Sequence, residues 1–325
     1  MLLTRFTISL IGLLLLACSS ASEKPASNMA AARAAKKERQ EIRQDIIKIE
    51  PFFKRMGKPA NSDWLASHNE QGQTFDEFLK SDPVKPTPDR RKIYILPIGN
   101  FDNIQREIIH ETAQYLEVFY GLPVEEMPIH AMPTQDEKPL VKPSRRSKRT
   151  SSGSTPNARK APGTGRVQFR ADYIIDEVIA SVARQDAIAT LGLTDADIYS
   201  ADSGSYVFGQ TSFEKRLSVV SLSRLATANR KNFEIRLFKI ASHETGHIFG
   251  MRHCTKYECL MSGTNNLAET DRHPLDVCPE CMAKIAFLSG VTPHDRYAQL
   301  ADYCNANAMP DQAANFRAKA KALSP

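Results

Sequence analysis

The stretch HETGHIFGMRHC, His243 to Cys254, sets three histidines, a glutamate and a cysteine within one short segment. Residues four apart on a helix share a face, so His243 and His247 can aim two imidazole nitrogens at one ion. Neutral imidazole suits zinc, at roughly 2.0–2.1 Å. Glu244 lies one residue round the helix, near enough to face a metal-bound water without ligating the metal. Gly250 permits the positive φ that turns the chain under the helix, and His253 then returns as a third ligand. Three protein ligands leave one position open, which distinguishes a catalytic zinc from a closed structural one.

Cys254 follows His253 directly. Cys254 and Cys259 form one close pair, and Cys278 and Cys281 form another as CPEC. Two such pairs bridged by a loop match the spacing of a four-cysteine zinc site, saturated and therefore structural. Disulfides are the alternative, because exported chains oxidise their cysteines. On the zinc reading His253 and Cys254 are neighbours that serve different metals.

Export is expected from the first residues, MLLTRFTISLIGLLLLACSS. Arg5 supplies a positive start, and the apolar run after it is too short to span a bilayer comfortably. Leu15-Leu16-Ala17-Cys18 resembles the lipobox of bacterial lipoproteins, in which the cysteine is acylated and becomes the first mature residue. An ordinary cleaved signal peptide is the alternative. The lipobox reading implies a signal peptide at 1–17 and a lipid anchor on Cys18. It places the protein on the periplasmic side of a membrane of the cell envelope, and Ser19 favours the outer one. A net charge of +6 is modest, and nucleic acid is not an expected partner for an exported chain.

Residues 18–60 read as a tether and an N-terminal helical arm, with Ile42, Ile46 and Ile49 at helical spacing before Pro51. The compact domain is expected over 61–304, with 305–325 as a C-terminal helical tail. RKIYILPIG reads as a core strand. FDNIQREIIHETAQYLEVFYG reads as a helix that stops at Gly121. A strand followed by a helix suggests an α/β layer. Residues 131–166 are basic and rich in Pro, Ser and Gly, and are expected to form a disordered surface loop, solvated or bound to anionic lipid. ADYIIDEVIASVA is helical in pattern, LSVVSLSRL is a strand, and NFEIRLFKIASHETGHIFG is a long helix ended by Gly250.

These residues resemble the archaemetzincins, whose signature HExxHxxGxxHCxxxxCxM and later CxxC stand here as HETGHIFGMRHCTKYECLM and CPEC. The blocks WLASHNEQGQTFDEFL, IYILPIGNF, FYGLPVEE, ADYIIDEVI, LGLTDADIY and YVFGQTSFEKRLSVVSLSRL are similar to the family as well, in the expected order. The resemblance runs from about Trp64 to at least Lys284. It implies an α/β (α+β) metzincin-like zincin fold: a twisted mixed sheet, an active-site helix, and a C-terminal subdomain with the four-cysteine zinc. It also implies a zinc-dependent metallopeptidase with two Zn2+ per chain. His243, His247 and His253 would bind the catalytic ion, and Glu244 would act as general base toward its water. Cys254, Cys259, Cys278 and Cys281 would bind the structural ion. Met261 falls at the family's Met-turn, a thioether beneath the histidines.

Peptide or protein is the substrate so implied. LSVVSLSRL precedes the helix, where metzincins place the sheet edge that pairs with extended substrate. Tyr297 and Tyr303 are candidates for oxyanion stabilisation, with packing as the competing role. Cys304 reads as a lone thiol, and His273 and His294 as loop residues. Two other functions stay open: a zinc-stabilised, non-catalytic binding module tethered at the envelope, and zinc buffering through exchangeable sites.

Overall fold

β1, Lys92–Ile98, is buried at all but its first residue, as expected of a strand covered on both faces. The structure, a computed structural model, describes residues 23–132 and 157–324; of residues 23–32 it describes only the helical backbone. The strands that follow are β2 (Val124–Glu126), β3 (Ala158–Lys160), β4 (Val167–Arg170) and β5 (Ala187–Thr194), the last buried throughout. Then come β6 (Asp197–Tyr199), β7 (Gly209–Ser212) and β8 (Leu217–Ser221). They make a five-stranded sheet in the order β2-β1-β5-β8-β7 and a three-stranded sheet in the order β3-β4-β6. Every pairing in the larger sheet is parallel except β7 against β8. LSVVSLSRL therefore supplies an inner strand, and the expectation that it forms the sheet edge is corrected: β7 is the edge.

The helices before the sheet are α1 (Glu23–Ile49), α2 (Trp64–Ser67) and α3 (Phe75–Lys80); α4 (Asn103–Tyr120) joins β1 to β2. Asp102 caps α4 by accepting from the Gln105 amide at 2.8 Å. Gly121 ends it at φ +62°, the left-handed conformation that glycine adopts without strain. The stretch ADYIIDEVIASVA is helical as its pattern predicts, as α5 (Ala171–Tyr173), a π-turn over Ile174–Ile179, and α6 (Ala180–Val182). The long helix α7, Arg230–Ile248, is followed by α8 (Leu267–Arg272), α9 (Pro279–Ser289), α10 (Pro293–Ala306) and α11 (Pro310–Leu323). Tyr115 of α4 stacks on Phe238 of α7 with ring centroids 4.4 Å apart, which fixes the active-site helix against the sheet's cover. None of the described helices is long and apolar enough to cross a membrane.

The chain divides into two compact units between Glu41 and Ile42, the second running to Pro325. Ile42 and Ile49 are buried in the main apolar cluster. The chain after them pairs with the loop between Cys254 and Cys259: the Met56 amide donates to Lys256 O at 3.0 Å, and the Glu258 amide to Lys54 O at 2.9 Å. At the other end the tail is helical as α11, and Ala313, Phe316 and Leu323 are buried in the same cluster. The basic 131–166 stretch is ordered at its far end, where β3 pairs antiparallel with β4. Its residues 133–156, and Cys18 with the leader, lie outside the described residues.

Candidate metal centres and active site

Asn229 caps α7 by accepting from the Asn232 amide at 3.1 Å, and Gly250 at φ +86° turns the chain back beneath its end. That turn brings His253 to the pair on the helix, with ring centroids 5.2 Å from His243 and 4.9 Å from His247. Each imidazole is oriented through its outer nitrogen. His243 Nδ1 donates to Leu260 O at 2.9 Å, His247 Nδ1 to Met251 O at 2.7 Å, and His253 Nδ1 to the Glu70 carboxylate at 2.9 Å. With each Nδ1 carrying its proton, each Nε2 is left as a lone pair.

The Nε2 atoms of His243 and His247 face each other at 3.0 Å, two acceptors with no proton between them. Only a cation relieves that approach. The spacing is close to the roughly 3.3 Å that two tetrahedral ligands at zinc–nitrogen distance would show. Burial, then the neighbouring His247 and His253, hold the His243 imidazole well below its ordinary pKa; burial lowers His247 and His253 too. Neutral rings are what zinc requires. The donor set fits zinc.

Glu244 stands beside this triad, 7% exposed, with Thr211 Oγ1 on Oε2 at 2.6 Å. Burial raises its carboxyl to about 7, against the lowering effect of the Thr211 bond. The close seat depends on Gly209 of β7, where a Cβ would lie 2.5 Å from Glu244 Cγ. Gly246 plays the matching part below: a Cβ there would lie 2.6 Å from Met261 Sδ. Met261 thus sits buried under the helix turn that carries both histidines.

The four cysteines form a second centre. Cys254, Cys259, Cys278 and Cys281 are all buried and unpaired by disulfides, and their sulfurs lie within 4.8 Å of one another. Cys254 Sγ and Cys278 Sγ are 3.6 Å apart, far beyond a disulfide bond of about 2.05 Å. That separation approaches the roughly 3.8 Å edge of a tetrahedral zinc–thiolate site. Amides of Met261 and Cys278 point at Cys259 Sγ from 3.4 and 3.2 Å, donors that a metal-bound thiolate would accept. Hydrogen bonds from the other three thiols pull Cys254 far below the usual thiol range. Disulfide pairing is excluded by this geometry, and zinc fits.

A cleft of about 1080 Å³ opens over the histidines, between the 68–72 segment, β7 with its flanks, and the 260–274 segment. Glu70, Gly209 and Thr211 are functional residues that sequence reasoning passed over, although all three lie in the quoted family-like blocks. His273 lies in the loop that follows α8, as expected, and also lines the cleft. His294 stands exposed in the first turn of α10, so its reading as a loop residue is corrected. Tyr297 is buried away from the cleft against Phe316, and Tyr303 donates to Glu111 O at 3.0 Å; both pack. Cys304 is a buried lone thiol.

Comparison with known proteins adds the lineage. Residues 165–286 match peptidase family M54. Archaemetzincin-2 of Macaca fascicularis is 32% identical over 279 residues, which span 74% of this chain and 71% of that protein. The chain belongs to the archaemetzincin family. The human archaemetzincin-2 has the same identity over 276 residues, 74% of this chain and 71% of its own. The archaemetzincin of Archaeoglobus fulgidus is 39% identical over 98 residues, 30% of this chain and 60% of that protein. A crystal structure of that archaeal protein aligns with TM-score 0.43 and 26% identity, covering 59% of this chain and 99% of that one. As an archaemetzincin the protein is a zinc metallopeptidase, a hydrolase acting on peptide or protein, with a mixed α/β fold.

Proposed function

We propose that this archaemetzincin hydrolyses peptide bonds at the histidine triad, with Glu244 as general base, and carries a second, structural zinc at the four cysteines. The observation that carries the reading is the pair of Nε2 lone pairs facing at 3.0 Å beside a buried carboxylate in an open cleft.

His243, His247 and His253 would hold the catalytic ion, leaving the cleft side open. When bound there, zinc supplies Lewis-acid polarisation of the scissile carbonyl and makes water a better nucleophile at neutral pH. Glu244 accepts the proton of the attacking water at Oε1, the oxygen not taken by Thr211, and passes it to the leaving amine. A carboxyl brought to about 7 by burial is matched to both halves of that transfer. Thr211 holds Oε2 and so fixes the plane of the carboxylate. The unpaired edge of β7 faces the cleft, and an extended substrate can add there as a further strand. The lipobox-like Leu15–Cys18 supports anchoring of this peptidase at a cell envelope, which the mass of the N-terminal peptide of the mature protein tests.

The test incubates the zinc-loaded full chain, and Glu244→Gln with equal zinc, with a diverse peptide pool read by mass spectrometry. New termini should appear with the unmutated protein, at a rate about 10²–10⁴ times that of the variant. Equal cleavage by both would remove Glu244 from its role. No cleavage by either, with both metals bound, would favour the binding-module reading.

A further inference from the structure

We infer that the inner end of the cleft, between α7 and the 260–274 segment, is a pocket for a carboxylate side chain of the substrate, built from Lys239 and His273. The inference rests on the peptidase reading and adds the substrate chemistry to it.

Lys239 precedes His243 by four residues on α7, about 6 Å along the axis, so its side chain borders the position beside the scissile bond. It is 8% exposed and lines the cleft. Its ammonium donates to the carbonyls of Thr270 at 3.0 Å and Asp271 at 3.1 Å. An ammonium has three protons, and the third has no acceptor among the described residues. Burial lowers Lys239 to about 8, which leaves it charged at neutral pH. His273 lines the same end, and its Nδ1 is buried without a hydrogen-bond partner. A buried imidazole nitrogen left unpaired costs free energy unless something arrives to pair it.

The nearby carboxylates are already paired with other cations. The Asp271 carboxylate is occupied by Arg236, that of Glu258 by Lys54, and that of Asp63 by Arg272. Glu269 accepts from the Trp64 and Asn265 amides. Among residues lining the cleft, the acidic ones are Glu70, which is bonded to His253, and Glu244, which stands beside the histidine triad. A substrate glutamate or aspartate satisfies both orphan groups at once: the ammonium proton bonds one carboxylate oxygen, and the imidazole N–H bonds the other. A glutamine in its place loses the ion pair, a difference of about tenfold or more.

The test uses the zinc-loaded full chain and peptide pairs identical except for Glu or Gln at each position flanking the scissile bond. At one position kcat/KM should favour Glu about tenfold or more. Lys239→Met should bring that ratio close to one, and His273→Gln should lower it. Thermal melts and zinc content identify a misfolded variant, and the other variant then decides. Binding of the same pairs to Glu244→Gln, followed by fluorescence anisotropy, separates this inference from the peptidase reading. Tighter binding of the Glu peptide without turnover by the unmutated protein would keep the pocket and remove the peptidase mechanism. Turnover with equal rates for Glu and Gln at every position would overturn the pocket. So would a preference that survives both Lys239→Met and His273→Gln.

Discussion

His253 and Cys254 are bonded neighbours, yet their side chains enter unlike surroundings. His253 joins two other histidines on the wall of a cleft, its side chain 18% exposed. Cys254 turns inward to three other cysteines packed among Tyr257, Met282 and Ile285 in the main apolar cluster. Three ligands and an open side leave room for a reacting group. On the proposed assignment, four thiolates and a closed shell leave none, so the energy of metal binding would go into holding the 254–281 segment together. The two centres are also coupled mechanically: the Cys254 amide donates to Met261 O at 2.8 Å, and Leu260 O orients His243. The cysteine cluster thus positions two residues next to the histidine triad.

The largest effect should come from breaking the closed centre. Cys278→Ser removes a ligand from a site whose metal contributes about 10 kcal/mol or more to folding. Loss of the sharp thermal transition, with zinc content falling, is expected. A variant of unchanged melting temperature and zinc content would end the structural assignment. Graded chelation tests the contrast directly. The first zinc removed should take all peptidase activity while the far-ultraviolet circular dichroism stays native, and zinc should restore turnover. Simultaneous loss of fold and activity would mean that the two centres do not differ as argued.

Glu70→Gln probes the open centre alone. Replacing the carboxylate that orients His253 should weaken metal binding or activity about 10–100-fold and leave the cysteine centre loaded. Titration of zinc into the stripped variant, with wild type beside it, measures this. The smallest effect concerns Lys239. Burial depresses its pKa from 10.5 to about 8, so in that window the unfolded chain holds a proton that the folded chain has released. Stability from this group therefore rises as pH climbs from 8 to 10.5, by at most about 1.4 kcal/mol per pH unit. Lys239→Met should flatten that part of a stability–pH profile recorded by denaturant melts; an unchanged slope would place the effect elsewhere.

The sequence by itself determined the parts whose geometry is local. Helical periodicity puts His243 and His247 on one face, Gly250 allows the turn to His253, and close pairing of cysteines announces the second centre. The core strand at Lys92–Ile98 and the helix closed by Gly121 are legible for the same reason: their signals lie in adjacent residues. Tertiary structure alone decided the rest. Glu70 reaches His253 across 183 residues of chain, and no local pattern encodes that meeting. Gly209 matters because Glu244 presses on it, and Thr211 because the same strand edge carries it to the carboxylate. Periodicity marks a residue as buried or exposed but not which strand closes a sheet, so it does not tell the inner strand β8 from the edge that β7 forms. His273 and Lys239 became a pair in the same way. Side chains 34 positions apart share a cleft wall only because α7 and the segment after Met261 pack side by side.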